Sequence, residues 1–236
     1  MSFEVIALLG FAVVAVVAYL LGSISFAVIF STAFTKKDVR DEGSGNAGMT
    51  NVLRTAGALP GVLTCVGDFG KAALSAVFGM YIAVPYLNTF APSGMVLLPV
   101  YGGIIGAIFC MLGHVFPLFF QFRGGKGIMA AIGAITIIDW RIACILLAVF
   151  FIVLIFTKIV SASSIAAAAS YPIATFFMSY FVSRELATGN IHIFGLPAWA
   201  FETAGAVIMA VITISKHSGN IERLIRGEEK SLKVKK

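Results

Sequence analysis

The residues best suited to chemistry in this chain lie in a polar, glycine-rich stretch, residues 43–54, here called the first motif. It reads GSGNAGMTNVLR and is flanked by long apolar segments. Its glycines permit backbone conformations that other residues resist, and such a turn can direct successive N–H groups at one anion. Its candidate binding residues are Gly43, Ser44, Gly45, Asn46, Gly48, Thr50, Asn51 and Arg54. We interpret the motif as a phosphate-binding loop, the alternative being a flexible loop between two membrane helices.

A second motif, residues 113–127, reads GHVFPLFFQFRGGKG. Gly124, Gly125, Lys126 and Gly127 precede an apolar helical segment, so backbone N–H groups, a helix N-terminus and a lysine charge could all face a phosphate. The stretch does not match a nucleotide-binding Walker A loop, because the leading glycine is absent and no Ser or Thr follows the lysine. His114 in this motif is expected to be a hydrogen-bonded helix-end residue rather than a catalyst.

A third motif, residues 216–229, reads KHSGNIERLIRGEE. His217 titrates near neutrality and could act as a general base or as a phosphate ligand. Asn220 lies one helical turn further on and could share its face. A histidine that only reaches towards the membrane interface is an equally good alternative at this stage.

The composition indicates a polytopic membrane protein rather than a soluble domain. Of its 236 residues 59% are hydrophobic and 12% charged, and the mean hydropathy is +0.99. The net charge of +6 is therefore interpreted as a topology signal and not as a nucleic-acid interface. Cys65, Cys110 and Cys144 lie in apolar stretches and are expected to be small buried residues, neither disulfide-bonded nor metal-binding. The first apolar segment is expected to be a retained helix, not a signal peptide.

The apolar runs predict an all-α fold with seven transmembrane helices in one domain, residues 1–215, followed by a tail, 216–236, that carries the third motif. In the second span, Asp68 and Lys71 are three residues apart and predict a structural ion pair at a helix end. The tail is expected to begin with a short amphipathic helix. The seven spans are expected at about 3–34, 59–84, 95–120, 128–138, 142–157, 161–182 and 199–215. A short turn at 85–94 separates the second and third spans, and a tight turn at 139–141 leads into the fifth.

The basic residues predict the orientation of these spans. If the tail is cytoplasmic, 15 of the 17 Lys and Arg residues lie on the cytoplasmic side and only Arg141 and Arg184 lie outside. Because basic residues prefer the cytoplasmic side of a membrane, this orientation is favoured, and with seven spans it places the amino terminus outside. All three motifs then face the cytoplasm, together with Lys158 and three nearby serines. This concentration of cations predicts a site for an anionic ligand, with attraction to anionic lipid headgroups as the alternative.

Taken together and in this order, the three motifs resemble those of the bacterial acyl-phosphate:glycerol-3-phosphate acyltransferases, over essentially the whole chain. The resemblance implies a multi-pass enzyme of the bacterial inner membrane in phospholipid synthesis. It would transfer a fatty acyl group from acyl phosphate to the 1-hydroxyl of glycerol 3-phosphate, giving lysophosphatidic acid and inorganic phosphate. Its partners would be these two substrates and membrane lipid, with no nucleic acid, no cofactor and no metal. The outer loop, 183–197, is longer than is usual in the family.

The resemblance also implies residue roles. Ser44, Arg54, Lys126, His217 and Asn220 would bind glycerol 3-phosphate or organise the reacting groups. The glycine-rich backbones of the first two motifs would hold the phosphate of the donor. Ser161 is favoured over Ser163 and Ser164 as a further contact, and Glu229 is expected to have a structural role. The hydroxyl proton could pass to His217 or, as we favour, to a phosphate oxygen of the donor.

Two other classes of function compete with this interpretation. A transporter of an organic phosphate would also explain many spans and a cationic cluster, but it predicts polar residues near the bilayer midplane and related halves. A lipid-binding scaffold would need only the basic tail. The oligomeric state, a monomer included, and the acyl-chain preference are left open by the sequence.

Overall fold

The computed structural model describes residues 1–182 and 197–231, and every regular element in these ranges is helical. Residues 183–196 of the outer loop, which include Arg184 and His192, therefore lie outside the described residues. The same holds for the terminal lysines, Lys233, Lys235 and Lys236. Short 3₁₀ turns occur at Val39–Asp41 and Leu118–Phe120, and π-helical turns at Phe78–Ala83 and Met178–Val182. The α-helices are α1 Phe3–Gly22, α2 Phe26–Thr35, α3 Met49–Thr55, α4 Ala58–Val77, α5 Val84–Asn88, α6 Pro99–Val115, α7 Ile128–Ile138, α8 Trp140–Thr157, α9 Val160–Phe177, α10 Ala198–Ser215 and α11 Ser218–Ile225.

The chain forms two compact units, Met1–Ile138 (unit 1) and Asp139–Lys236 (unit 2). Six helical segments among the described residues are long and apolar enough to cross a membrane. The all-helical fold is thus confirmed, whereas the seventh span, the orientation and the single domain at 1–215 stay predictions. The six segments are Phe3–Thr35, Ala58–Asn88, Pro99–Phe120, Trp140–Thr157, Val160–Phe181 and Ala198–Ser215.

Unit 1 is held together by close helix contacts at glycines. Helix α1 packs along α6, where a methyl group on Gly22 would collide with the carbonyl of Cys110. A methyl group on Gly113 would likewise meet the Tyr19 carbonyl. Small residues of this kind let membrane helices approach backbone to backbone, where dispersion contacts replace the hydrophobic effect.

The first apolar run is two helices and not the single long one that the sequence predicted. Helix α1 ends at Gly22 and α2 begins at Phe26, and Ser23 and Ser25 between them are buried. The Ser23 hydroxyl donates to the Tyr19 carbonyl over 2.8 Å and accepts the Leu118 N–H over 3.2 Å. The Ser23 side chain thus bonds the last turn of α1 and also satisfies a backbone N–H of the second motif, as an apolar environment requires.

The second apolar run also differs from expectation. Asp68 and Lys71 lie in the middle of α4 and are buried, so their ion pair is not at a helix end. The prediction of a turn from Pro85 is wrong as well, because helical structure continues through Pro85 to Asn88. Pro85 follows directly on the π-helical turn Phe78–Ala83, and local changes of helix type of this kind accommodate proline inside membrane helices.

Helix α7 has the bounds that the sequence predicted, Ile128–Ile138. It packs against α4, where Gly133 lies on the backbone of Phe69. Eleven residues span about 16 Å at 1.5 Å per residue, roughly half of a hydrocarbon core of about 30 Å. At this length α7 falls short of a full crossing, and the seventh span stays a prediction.

In unit 2, α9 packs against α8 and α10, and α11 contacts α9. Asp139 caps the start of α8 by accepting the backbone N–H of Arg141 over 2.9 Å. The predicted helix of the tail is present as α11. The prediction that all three cysteines are buried holds only for Cys110, since Cys65 is half-buried and Cys144 is exposed. Hydropathy does not distinguish a core position from an apolar outer face.

The glycine contact between α1 and α6 generates a stability prediction. Gly22→Ala places a methyl group against the Cys110 backbone and should lower the free energy of unfolding by about 1–3 kcal/mol. Gly70→Ala is the matched control, because nothing lies within 4 Å of its added methyl group and alanine favours a helix. Thermal unfolding midpoints in one detergent compare them. Equal midpoints for the two variants would contradict the proposed close contact.

Candidate active site

The first motif forms a tight loop ahead of α3. Gly43 and Gly45 have φ angles of 60° and 71°, in the left-handed region that disfavours side chains, which is why the sequence has glycine at both positions. Gly43, Ser44 and Gly45 are exposed, and so is Arg54 near the end of α3. Asn46 and Thr50 are half-buried beside them. The predicted binding groups of this motif therefore share one loop and its following helix.

Asn51 fastens this loop. Its side chain is 2% exposed, and its amide oxygen accepts the Ser44 N–H over 3.0 Å. Its amide nitrogen donates to the carbonyls of Val39 and Glu42, both over 2.9 Å. Both amide hydrogens are thereby used inside the protein, so the geometry gives Asn51 a part in shaping the loop. A direct contact with a substrate stays a prediction for this residue.

Arg40, three residues ahead of the first motif, connects this flanking segment to the second motif, a role that the sequence analysis missed. Its guanidinium donates to the Phe120 carbonyl over 2.7 Å and pairs with Asp38 over 2.6 Å. The hydrogen bond from Arg40 is the main cause that holds the pKa of Asp38 below its usual value. The sequence signal was the spacing Asp38-x-Arg40, which recurs at the Asp139 cap of α8.

The second motif turns sharply before its glycines. Gln121 and Phe122 both have a φ of 58°, although neither is glycine. Non-glycine residues in this region store strain, which persists only where surrounding contacts impose it. One contact that holds the turn in this conformation is the hydrogen bond, 3.0 Å long, from the Phe122 N–H to the Pro117 carbonyl.

The glycine loop of this motif leads directly into α7, as predicted. Gly125 donates its N–H to the His114 carbonyl over 3.1 Å, and Gly127 has a left-handed φ of 84°. Methyl groups on Gly124 or Gly125 would collide with His114 atoms, so the loop lies tightly against the end of α6. Lys126 is half-buried between these glycines.

Asp68, Lys71 and His114 form a buried cluster beneath this loop. The Lys71 ammonium lies 2.9 Å from the Asp68 carboxylate and 3.1 Å from His114 Nδ1, and it donates to the Ile24 carbonyl over 2.7 Å. His114 Nδ1 is 3.4 Å from the same carboxylate oxygen. The predicted ion pair is thus present, and His114 stands in the last turn of α6, as expected.

In unit 2, Glu229 gathers the residues of the third motif. One carboxylate oxygen accepts from the Ser161 hydroxyl over 2.8 Å and from the Asn220 amide over 2.7 Å. The other accepts from Arg223 over 2.7 Å. Ser161 therefore joins the third motif, whereas the Ser163 hydroxyl donates to the Ile159 carbonyl of its own helix.

These contacts set the ionisation of Glu229. Burial by itself would raise the pKa of this carboxyl group, but hydrogen bonds from Ser161, Asn220 and Arg223 oppose it. The charge of Arg223 adds to their effect, and the resulting pKa is below the ordinary value of 4.5. Glu229 is therefore an anion at neutral pH.

His217 is buried where α11 begins. Its Nδ1 lies 2.8 Å from the Thr213 carbonyl oxygen, which can only accept, so Nδ1 carries a proton. In the neutral ring the lone pair is then on Nε2, the atom through which His217 would act as a base. Among the described residues no three His, Cys, Asp or Glu side chains are grouped to hold a metal ion.

Comparisons with known proteins show the family to which the chain is similar. The family sequence model described as glycerol-3-phosphate acyltransferase matches residues 12–227. A glycerol-3-phosphate acyltransferase of Paraburkholderia phytofirmans is 35% identical over 225 residues, covering 95% of this chain and 92% of the relative.

Two solved structures are similar as well. One is the glycerol 3-phosphate form of PlsY (YgiH), an integral membrane glycerol 3-phosphate acyltransferase, with a TM-score of 0.71 and 27% identity. It covers 94% of this chain and 95% of that one. The other is the lysophosphatidic acid form, with a TM-score of 0.70, 28% identity and 94% coverage of both chains.

The hydrogen bonds of Asn51 yield a second prediction. Asn51→Asp keeps the size of the side chain but turns its two donors into acceptors facing the Val39 and Glu42 carbonyls. We expect backbone amides of residues 42–48 to exchange hydrogen at least about tenfold faster, since each lost buried bond weakens local protection.

Asn88→Asp is the control for this substitution, because Asn88 bridges the Leu97 N–H and carbonyl elsewhere in unit 1. Hydrogen exchange read by mass spectrometry should show no change in residues 42–48 for that variant. Equal exchange in both variants would show that Asn51 does not fasten the loop.

The lowered pKa of Glu229 gives a prediction about pH. Because the folded-state pKa lies below 4.5, the stability that this carboxylate contributes is present above that value and is lost as pH falls through the folded pKa. The gap between the unfolding midpoints of the wild type and Glu229→Gln should therefore be constant near neutrality and close only as the pH falls below 4.5 and through the folded-state pKa. Glu222→Gln is the control, since its ion pair with Arg226 is exposed. A gap that persists in acid would contradict the assignment.

Proposed function

Because the chain belongs to the glycerol-3-phosphate acyltransferase family and is a multi-pass integral membrane enzyme, we propose that acyl phosphate is its acyl donor. The fatty acyl group passes to the 1-hydroxyl of sn-glycerol 3-phosphate. The products are lysophosphatidic acid and inorganic phosphate. The forms in which the similar solved structures were obtained, with glycerol 3-phosphate and with lysophosphatidic acid, support the acceptor and the product.

The observation that carries the choice of donor is the glycine loop of the second motif. Gly124, Gly125 and Gly127 surround Lys126 at the start of α7. The Gly125 N–H is bonded to the His114 carbonyl, so the lysine and the N–H groups at the start of the helix are the ones that could receive a phosphate. Acyl phosphate brings such a group, and its acyl carbon is already activated as a mixed anhydride. A protein nucleophile is then unnecessary, and positioning with electrostatic stabilisation is sufficient.

In the proposed reaction, the 1-hydroxyl oxygen attacks the acyl carbon and the bond from that carbon to the phosphate oxygen breaks. The hydroxyl proton passes to a phosphate oxygen of the departing donor, which leaves as hydrogen phosphate. His217 orients the acceptor, and its Nε2 lone pair is the alternative destination for the proton. Lys126 offsets negative charge as the phosphate leaves.

The roles of the other predicted site residues are assigned within each unit by itself. In unit 1 we assign Ser44 and Arg54 to substrate binding, with Asn46, Thr50 and the motif glycines forming the loop surface. In unit 2 we assign Ser161 and Asn220 to the acceptor, with Glu229 holding both. The protein would span a bacterial inner membrane, with the three motifs on its cytoplasmic side.

Exposed aromatic residues support entry of the acyl chain beside the second motif. Phe116, Phe119 and Phe122 are 43%, 58% and 55% exposed, next to a loop that is otherwise polar. In a membrane protein such a surface can contact lipid chains at little cost, because both are apolar. A fatty acyl chain could therefore reach the loop from the bilayer.

Release of inorganic phosphate by the purified protein in lipid tests this function. Release should require both acyl phosphate and glycerol 3-phosphate, and acyl-coenzyme A or acyl carrier protein should not replace the donor. Lys126→Gln should lower kcat/KM about 10²-fold, the size of effect that one electrostatic donor has, and His217→Ala should also impair turnover. Lys37→Gln is the control, since this exposed lysine pairs with Glu42.

Two outcomes would contradict the proposal. Turnover with acyl-coenzyme A and none with acyl phosphate would leave an acyltransferase with another donor. Saturable uptake of glycerol 3-phosphate into liposomes by folded protein that releases no phosphate would instead favour a transporter.

A further inference from the structure

Arg40 has no part in the reaction proposed above, and its guanidinium group is committed within the protein. The side chain is 12% exposed. Its Nε and Nη2 donate to the Asp38 carboxylate over 3.0 and 2.6 Å, and its Nη1 donates to the Phe120 carbonyl over 2.7 Å. At least three of the five N–H donors of the guanidinium are therefore used, and Asp38 balances its charge. Such a group is better suited to holding a neighbouring segment in place than to binding a substrate phosphate.

The residue that Arg40 holds, Phe120, is attached beside the first motif at two points. Its carbonyl accepts from Arg40, and its half-buried side chain packs against a buried apolar cluster that includes Val39, Ala47 and Val52. Ala47 and Val52 belong to the first motif. One residue of the second motif is thus docked at the first motif by its backbone and by its side chain.

The turn that follows Phe120 depends on contacts of this kind. Gln121 and Phe122 have left-handed φ angles of 58°, a conformation that non-glycine residues keep only where their surroundings impose it. The Phe120 carbonyl also accepts the Arg123 N–H over 3.2 Å. The same oxygen therefore closes the turn and joins it, through Arg40, to a segment 80 residues away in the sequence.

The glycine end of the second motif touches the first motif as well. A methyl group added to Gly125 would lie 2.5 Å from the Ala47 carbonyl oxygen, so the two backbones are in close contact. Lys126 is the next residue in the chain. Because the two motifs meet both at Phe120 and at Gly125, a shift of the Phe120 turn would change the position of Lys126 relative to the first motif.

We propose that Arg40 is a positioning residue that holds the second motif against the first through the Phe120 carbonyl. The first motif keeps its own hydrogen bonds to Asn51, so loss of Arg40 displaces the second motif and leaves the first in place. The inference rests on the proposed function in one respect, which is that the second motif binds one of the two substrates. It does not depend on which substrate that is, and Arg40 touches no reacting atom.

Arg40→Met tests this role, because methionine retains an apolar stem and removes every donor. Asp38 is 25% exposed and can be hydrated when its partner is lost. The variant should raise the KM for one substrate about tenfold and leave the KM for the other within about twofold, because only one of the two loops is displaced.

A purely structural role of Arg40 predicts a different result. Loss of folded enzyme lowers the measured turnover, but the KM values do not depend on how much enzyme is active. A fall in turnover with both KM values unchanged would therefore overturn the proposal. An equal rise in both KM values would also overturn it, since the two loops would then not be affected separately.

Arg141→Met is the matched control. Arg141 pairs with Asp139 in the same Asp-x-Arg arrangement at the start of α8, and neither residue belongs to a motif. Both KM values should stay within about twofold of the wild type. A change in KM as large as that of Arg40→Met would show that loss of any such pair has this effect, and would overturn the proposal.

The identity of the affected substrate tests the proposed function separately. A higher KM for acyl phosphate agrees with a second motif that binds the donor. A higher KM for glycerol 3-phosphate would retain the positioning role of Arg40 and would assign the second motif to the acceptor. Failure of the donor assignment and failure of the positioning role are thereby distinguishable.

Arg40→Lys provides a measurement that needs no turnover and applies if Arg40→Met does not fold. Lysine keeps the positive charge beside Asp38 but concentrates its donors on one nitrogen, whereas Arg40 uses three nitrogens in a planar fork. Backbone amides of residues 118–123 should exchange hydrogen about tenfold faster than in the wild type, while those of residues 43–48 keep the wild-type rate. Unchanged exchange at residues 118–123, or equal acceleration of both segments, would overturn the proposal.

Discussion

Much of unit 1 depends on the ammonium group of Lys71. It forms an ion pair with Asp68 of α4 itself over 2.9 Å, lies 3.1 Å from His114 Nδ1 at the end of α6 and donates to the Ile24 carbonyl in the break between α1 and α2. A break inside an apolar run leaves backbone groups that lipid cannot satisfy, and a buried lysine needs acceptors for the same reason. Each feature therefore supplies what the other lacks. Removal of either would leave an unpaired polar group inside the membrane protein.

In the proposed function, the glycine loops can bind phosphate effectively only because polar side chains fix them. Glycine gives a loop the conformations that a phosphate needs, but it also gives the unbound loop many others. Asn51 ties the first loop to its own flanks, and Arg40 ties the flank of the first motif to the second through the Phe120 carbonyl. Backbone N–H groups arranged in advance lose less entropy when a substrate arrives.

The sequence predicts the features that depend on local pattern and misses those that depend on partners. The three motifs, the bounds of α7, the Asp68–Lys71 pair and the helix of the tail follow from spacing and hydropathy. The break at Ser23 does not, because serines in an apolar run hardly alter its hydropathy. Asn51 has the same side chain as Asn46, and only its tertiary neighbours show that its amide is used within the protein.

In unit 2 the ionisation of Glu229 determines what Ser161 can offer a substrate. The hydroxyl of Ser161 has one hydrogen, and it is donated to Glu229 as long as that carboxylate is charged. Ser161 can then meet a further group only as an acceptor. A phosphate oxygen provides no hydrogen for it, whereas a hydroxyl of glycerol does. Within the proposed function, we therefore assign Ser161 to the glycerol hydroxyls.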